Sequence, residues 1–430
     1  AYDPIHWPDW AFDQYNALNI DAEIMGDDFW VGGADKSDMR NWHLLFNYEG
    51  DENNTLNSLW TVDYSGVKRC NDVLKYLGWA TDVTAENRVS YEMQARCLRV
   101  YYYNMLWHYF GNIPFYLENL SNLPYTAPQF TADEVYNQLI VELEAVIDSK
   151  VLPMKYYKDK NGKDDEGQLG RVTQAMAYMM YAEMVMYQND NSRFTKALGY
   201  MKEIIASPQY ELNNDFANIW ETNGEWCNES IWEINYDAKG NSGDAWGNGT
   251  SDDSFMGNNL AHYFGPTLKG ENIGGGWYKM QPSPYLIKEF ISEQRPEGSD
   301  SKWDKRLYTT CFFKYSDFGD VKPDEKFYGG KVEFDDMFKW TVLPEGDGKY
   351  GIAKQGYAPA YPVIEGVQGR FMMKKFAAWW VPTGCTMYSN DAGRINNLRI
   401  MRFAEVLLLH AEACLETNDE SLSLIHISEP

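Results

Sequence analysis

The chain has 430 residues, room for one large domain or two, and its 44% hydrophobic and 23% charged residues are ordinary for a globular protein. A formal charge of −25 and a pI near 4.6 repel phosphate backbones, which argues against nucleic-acid binding and leaves neutral sugars and cations compatible. No apolar run approaches the roughly 18–20 residues that a membrane-spanning helix needs, and 16 Trp, 31 Tyr and 20 Phe supply rings beyond those a core requires.

Residues 1–56 read as a loop-rich segment, with Trp7, Trp10, Trp30 and Trp42 set among Asp, Asn and Gly. From Asn57 the pattern turns helical. Leu59, Val62, Val67, Cys70, Leu74 and Leu77 share one face, and Gly78 closes the helix. A second helix is predicted from Ala95, with Cys97, Tyr101, Met105 and His108 on one face, Gly111 as its C-cap and Pro114 preventing a restart. The short connection between the two predicts an antiparallel hairpin. Tyr101, Tyr102 and Tyr103 point about 100° apart on such a helix, so they cannot make one binding platform and are expected to pack between helices.

Thr131-Ala132-Asp133-Glu134 is a capping-box signature, followed by a stripe of Val135, Leu139, Leu143 and Val146. After the polar loop Lys155–Gly170, Thr173 caps a helix with Ala175, Tyr178, Ala182 and Val185 on one face, and another helix runs from about Ser192 to Ala206. Residues 57–207 thus predict a tetratricopeptide-like scaffold of helical hairpins, without a regular ~34-residue repeat. Residues 208–395 are irregular, with strand-like runs at Ser230–Tyr236 and Leu307–Lys314, and are assigned to ligand binding, since long irregular segments in a compact protein are usually functional. Helix returns over Asn397–Glu416, within a scaffold segment at 396–420. The string at 421–430, SLSLIHISEP, shares no pattern with what precedes it and is expected to be a non-native tail from adapter read-through. The fold class is mostly α: a tetratricopeptide-like helical-hairpin scaffold, a large irregular loop-rich region and a few short strands.

No catalytic residue, metal ligand or cofactor emerges. Six Cys form no CxxC, and six His form no HExxH; neither a GxSxG elbow nor a P-loop occurs. The GxGxxG at 346–351 lies in a Pro- and Gly-rich loop with no helical pattern after it. The acidic loop 159–166 departs from the EF-hand order. Glu221/Glu225 and Glu229/Glu233 have suggestive spacing for an acid/base pair, yet so many acids produce such pairs by chance.

Two stretches combine rings with Asp, Asn, Arg and Gly, the chemistry that covers the apolar face of a sugar and pairs with its hydroxyl rim. The first supplies Asp28, Trp30, Arg40, Asn41 and Trp42; the second supplies Trp246, Tyr263, Trp277 and Tyr278. One stacked ring removing about 60 Å² of apolar surface contributes about 1.5 kcal/mol, so three give roughly millimolar binding before hydrogen bonds are added.

Several motifs, in order, resemble the SusD/RagB family. Arg96, Leu98, Arg99, Tyr101, Tyr102, Tyr103, Leu106, Phe110, Gly111 and Pro114 match its "RxLRAYYYxxLxxxFGxxPL" segment. Leu59-Trp60 through Leu74, Thr131–Asp148, Gly170-Arg171-Val172-Thr173, Glu229–Ile234, Gln281-Pro282-Ser283, and Arg402–Leu408 with Ala411-Glu412-Ala413 resemble further family segments. The family's secretion signal, lipidated Cys and late "ERxxELxxE" helix are not found, so the chain resembles the middle of such a protein. The resemblance implies a lipid-anchored protein of the cell outer membrane, facing the exterior. Such a protein captures oligosaccharide or polysaccharide without catalysis and delivers it to a TonB-dependent, SusC-like transporter. The family builds its glycan sites from loops of the two regions named above. A peptide-capturing RagB-like protein and a glycoside hydrolase are the alternatives.

Overall fold

The computed structural model describes residues 1–6, 18–33, 35–53, 56–156, 168–236, 260–266, 276–293, 295, 297–320, 326–330, 359–382 and 396–417. Trp7, Trp10, Trp246, the acidic loop 159–166, the glycine motif 346–351 and the tail 421–430 lie outside the described residues.

The loop-rich N-terminal segment contains helix α1 (Leu18–Met25), strand β1 (Phe29–Val31) and helix α2 (Arg40–Phe46). Then come the predicted long helices, α3 (Asn57–Leu77) and α4 (Ala85–Phe110). Helix α4 starts ten residues before Ala95 because Thr84 caps it, its side chain accepting from the Asn87 amide at 3.2 Å. It ends at Gly111, which has φ +66°. Nor is α4 amphipathic with a single buried stripe. From Met93 to Trp107 it is buried nearly all round, since α3 and two later helices, Ala132–Asp148 and Gln174–Gln188, pack against it.

Beyond α4, the short strands β2 (Ile113–Pro114) and β3 (Gln129–Phe130) pair. Helix α5 (Ala132–Asp148) begins at the predicted capping box: the Glu134 amide donates to Thr131 Oγ1 at 3.3 Å, and the Thr131 amide donates back to Glu134 Oε2 at 2.8 Å. Thr173 caps α6 (Gln174–Gln188), and α7 (Phe194–Ile205) follows.

Strand β4 (Ser230–Ile234) opens the irregular region, followed by α8 (Leu260–Phe264), β5 (Met280–Pro282), α9 (Pro284–Ser292), α10 (Lys305–Thr310), β6 (Cys311–Phe313), β7 (Val363–Ile364), β8 (Val367–Gln368) and β9 (Phe371–Met373). The run predicted as a strand over Leu307–Lys314 is half helix, because Asp304 caps α10 by accepting from the Arg306 amide. The helix predicted from Asn397 begins instead as strand β10 (Leu398–Arg402), and only then becomes α11 (Phe403–Glu416). Alternation along Leu398–Arg402 answers β4, its antiparallel partner far away in sequence. The other pairings, also antiparallel, are β1–β5, β6–β9 and β7–β8.

The three tyrosines point apart, as their spacing requires. Tyr101 packs edge-on against Trp232 of β4 at 5.0 Å. Tyr102 donates to the Ala1 carbonyl at 2.7 Å. The Tyr103 hydroxyl donates to the Tyr116 carbonyl and accepts from its amide, fixing the exit after Pro114.

Arg99 binds the scaffold together. Its guanidinium donates to Asn71 of α3 at 2.7 Å, to the Leu117 carbonyl at 3.1 Å and to Glu142 of α5. Both charged partners are over 90% buried. Without Glu142 the buried guanidinium loses its carboxylate, and without Arg99 the Glu142 carboxylate is left with Arg96 at 3.4 Å, a poorer compensation in a low-dielectric interior. Arg99→Ala is therefore expected to destabilise the protein by about 3–5 kcal/mol, and Arg99→Met with Glu142→Met by much less than twice that. Urea unfolding of the two variants measures this; an Arg99→Ala midpoint equal to the parent's would show that the pair carries no weight.

Candidate functional site

The two aromatic stretches come together through backbone pairing. Phe29 lies opposite Pro282, Trp30 opposite Gln281 and Val31 opposite Met280. The ladder extends past β1, as the Gly32 amide donates to the Lys279 carbonyl at 2.6 Å and the Gly33 amide to the Tyr278 carbonyl at 3.2 Å. At its other end the Ser283 amide donates to the Asp28 carbonyl at 2.9 Å. Helix α8 backs this junction: the Trp277 amide donates to the His262 carbonyl at 2.7 Å and the Lys279 amide to the Tyr263 carbonyl at 2.9 Å. Lys279 also pairs with Asp38, a side-chain tie across the same seam.

Two glycines make the approach possible. A Cβ on Gly32 would lie 2.3 Å from Gln281 Nε2 and 2.4 Å from the Tyr278 carbonyl oxygen. One on Gly276 would lie 2.1 Å from the Gly265 carbonyl oxygen. Neither position has room for a side chain.

The site residues expected from sequence divide by exposure. Asp28 and Arg40 are exposed, while Trp30, Asn41 and Trp277 are partly exposed. Trp30 sits edge-on to Phe46 at 5.1 Å, and Trp277 packs against His262 at 4.3 Å with Lys279 Nζ 5.7 Å from its ring centre. Trp42, Tyr263 and Tyr278 are at most 5% exposed. Trp42 and Tyr263 meet edge-on at 5.5 Å and pack the floor beneath the junction, while Tyr278 belongs to a second apolar cluster with Phe290, Phe312 and Phe371. These three rings support the surface and present no open face in this structure. Lys279 and Gln281, which sequence reasoning did not name as site residues, sit in the seam, where the strand pairing places them.

The acidic pairs with suggestive spacing are occupied structurally. Glu229 accepts from Arg402 at 2.6 Å and from the Asn213 amide at 2.9 Å. Glu233 accepts from the Trp226 amide and from Asn397 Nδ2, both at 3.1 Å, and Glu225 accepts from the Asn397 amide at 2.8 Å. These bonds tie β10 to β4 and leave Glu229 and Glu233 buried. Among the described residues no group of three or more His, Cys, Asp or Glu could hold a metal ion, and no helix is long and apolar enough to cross a membrane.

Two family descriptions match the chain: "SusD family" over residues 228–429, and "Starch-binding associating with outer membrane" over residues 11–166. Comparison with curated protein sequences gives no match. Among solved structures, surface glycan-binding protein A from Bacteroides uniformis is 52% identical, with 97% of this chain aligned to 74% of that one at a TM-score of 0.71. The protein of the same name from Bacteroides thetaiotaomicron, solved in complex with laminarihexaose, is 36% identical over 96% of this chain and 76% of that one, TM-score 0.72. The one from Bacteroides fluxus is 26% identical over 96% and 74%, TM-score 0.70.

Gly32→Val is expected to break the seam between the two stretches, lowering stability by about 1–3 kcal/mol. Faster limited proteolysis near residues 276–283 would accompany it, whereas an unchanged cleavage pattern would mean that the seam tolerates a side chain.

Proposed function

Since the chain belongs to the SusD/RagB family, we propose that it is a non-catalytic, cell-surface glycan-binding protein that captures oligosaccharide and passes it to a TonB-dependent, SusC-like transporter. The observation that carries this reading is the β1–β5 seam. It brings the two ring-bearing stretches together by strand pairing; Trp30, Trp277 and Asn41 stay partly exposed, and Asp28 and Arg40 are exposed. Rings cover the C–H faces of sugars; carboxylate, amide and guanidinium satisfy the hydroxyl rim. The names of the solved relatives support glycan as the ligand class, and the laminarihexaose complex of the 36% identical relative supports a laminarin-type oligosaccharide.

Absence of catalysis accords with the structural use of Glu229 and Glu233, each held by hydrogen bonds on both oxygens within the β4–β10 junction. Capture by a few stacked rings gives weak binding of each sugar, so affinity accrues along a chain, which suits a protein that must release its cargo to a transporter. A lipid anchor in the outer membrane, facing the exterior, completes the reading; the family description that matches residues 11–166 names the outer membrane.

Trp30→Ala and Trp277→Ala are each expected to weaken laminarihexaose binding by about tenfold, the equivalent of about 1.4 kcal/mol. Affinity electrophoresis against laminarin and calorimetry with the hexasaccharide measure it. Unchanged affinity in both variants would refute the site, and failure of the parent to bind any polysaccharide on a panel would refute the function.

A further inference from the structure

A cavity of about 500 Å³ opens where the helical scaffold meets the irregular region. That size falls within the usual range for small-ligand sites. Helix α4 contributes Asn104 and His108, α6 contributes Glu183, and α11 contributes Glu405; Glu23, Lys375, Arg399 and Arg402 complete the charged lining. Trp30 and Trp277 are not part of its lining.

The polar groups here are poorly satisfied by the protein itself. Asn104 is 5% exposed, and its Oδ1 has no hydrogen-bond partner. His108 Nε2 likewise has none. Burial holds the His108 imidazole down to about 4, so it is neutral near pH 7 and offers no positive charge. Burial and the neighbouring Glu405 push the Glu183 carboxyl up, and burial pushes Glu405 up against the pull of Arg402. The charge of Arg402 is already committed to Glu229 at 2.6 Å. Lys375 lies 3.7 Å from the Trp220 ring centre; burial and Arg402 lower its ammonium to about 8, while Glu23 and Asp28 oppose the shift. The cavity thus gathers unpaired acceptors and the carboxyls of Glu183 and Glu405, its two arginines are paired with Glu233 and Glu229, and Lys375 offers an ammonium donor.

We propose that this cavity is a second ligand site, separate from the ring-bearing face, for a small hydrophilic primary amine that carries hydroxyl or carboxylate oxygens. Its ammonium would sit beside Glu183 and Glu405, pair with them as they ionise and donate to Asn104 Oδ1. Its oxygens would accept from Lys375. An amino sugar and a free amino acid share this chemistry. Ion pairing with carboxyls that ionise on binding is the gain that an uncharged sugar cannot supply.

Calorimetry of the purified protein at pH 6.5, where both amines are protonated, with glucosamine, serine, N-acetylglucosamine and glucose tests the proposal. Saturable binding of glucosamine or serine is expected, and which one binds identifies the source of the amine; neither uncharged sugar should bind. Glu183→Gln and Glu405→Gln should each weaken amine binding by about tenfold or more, with laminarihexaose affinity left at the parent's value. Titrations of the parent in two buffers of different ionisation enthalpy should show proton release, because an ammonium beside the raised carboxyls draws them into the ionised form. This last measurement needs no variant to fold. No saturable heat from either amine, equal binding of N-acetylglucosamine, binding that survives both substitutions, or binding without proton release would each overturn the proposal.

Discussion

Arg99 sets the constraint on which the scaffold depends. A guanidinium buried in the middle of a helix must find its partners nearby, and here they come from three directions: Asn71 on the preceding helix, Glu142 on the following one and the carbonyl of Leu117 in the connection between. Asn119, just beyond, donates to the Lys68 carbonyl and to Asp72, so the exit from α4 is also pinned to α3. Three helices and a loop thereby acquire a fixed register. Close packing reinforces it at Gly66, where a Cβ would lie 2.4 Å from the Tyr102 ring.

Once α4 is fixed, its far side positions the irregular region. Tyr101 packs on Trp232, and β4 carrying that Trp pairs with β10. Arg399 and Arg402 on β10 reach back to Glu233 and Glu229 of the β4 segment. Residues far apart in sequence thus meet at a buried ionic junction, from which α11 runs back against α6 and α7. The ring-bearing face and the polar cavity both border this arrangement. The face needs the β1–β5 seam to join its two halves; the cavity needs α4, α6 and α11 to converge.

Much of the scaffold could be read from the residues. Thr131 and Glu134 announce a helix start because the capping hydrogen bonds lie within four residues, and Thr173 does the same for α6. Ambiguity arose where neighbours decide. Leu398–Arg402 joins a helical pattern in sequence, yet β4 claims it as a strand. The burial of α4 all round from Met93 to Trp107 was hidden because Arg99 and Asn104 look like surface residues on a helix. The acidic pairs, suggestive by spacing, are explained only by the arginines and asparagines that distant segments bring to them.

By itself, the sequence determined the family pattern, the mostly helical class and the two ring-rich stretches, since helix periodicity, caps and composition are local properties. Only the tertiary structure decided which rings face outward. Trp30 and Trp42 belong to the same ring-bearing stretch, but Trp30 stays partly exposed and Trp42 is buried edge-on against Tyr263. The same holds for Glu183 and Glu405, unremarkable on their own helices and brought to one cavity by packing. Exposure and charge compensation depend on what the rest of the chain places alongside a residue, and a local pattern does not encode that.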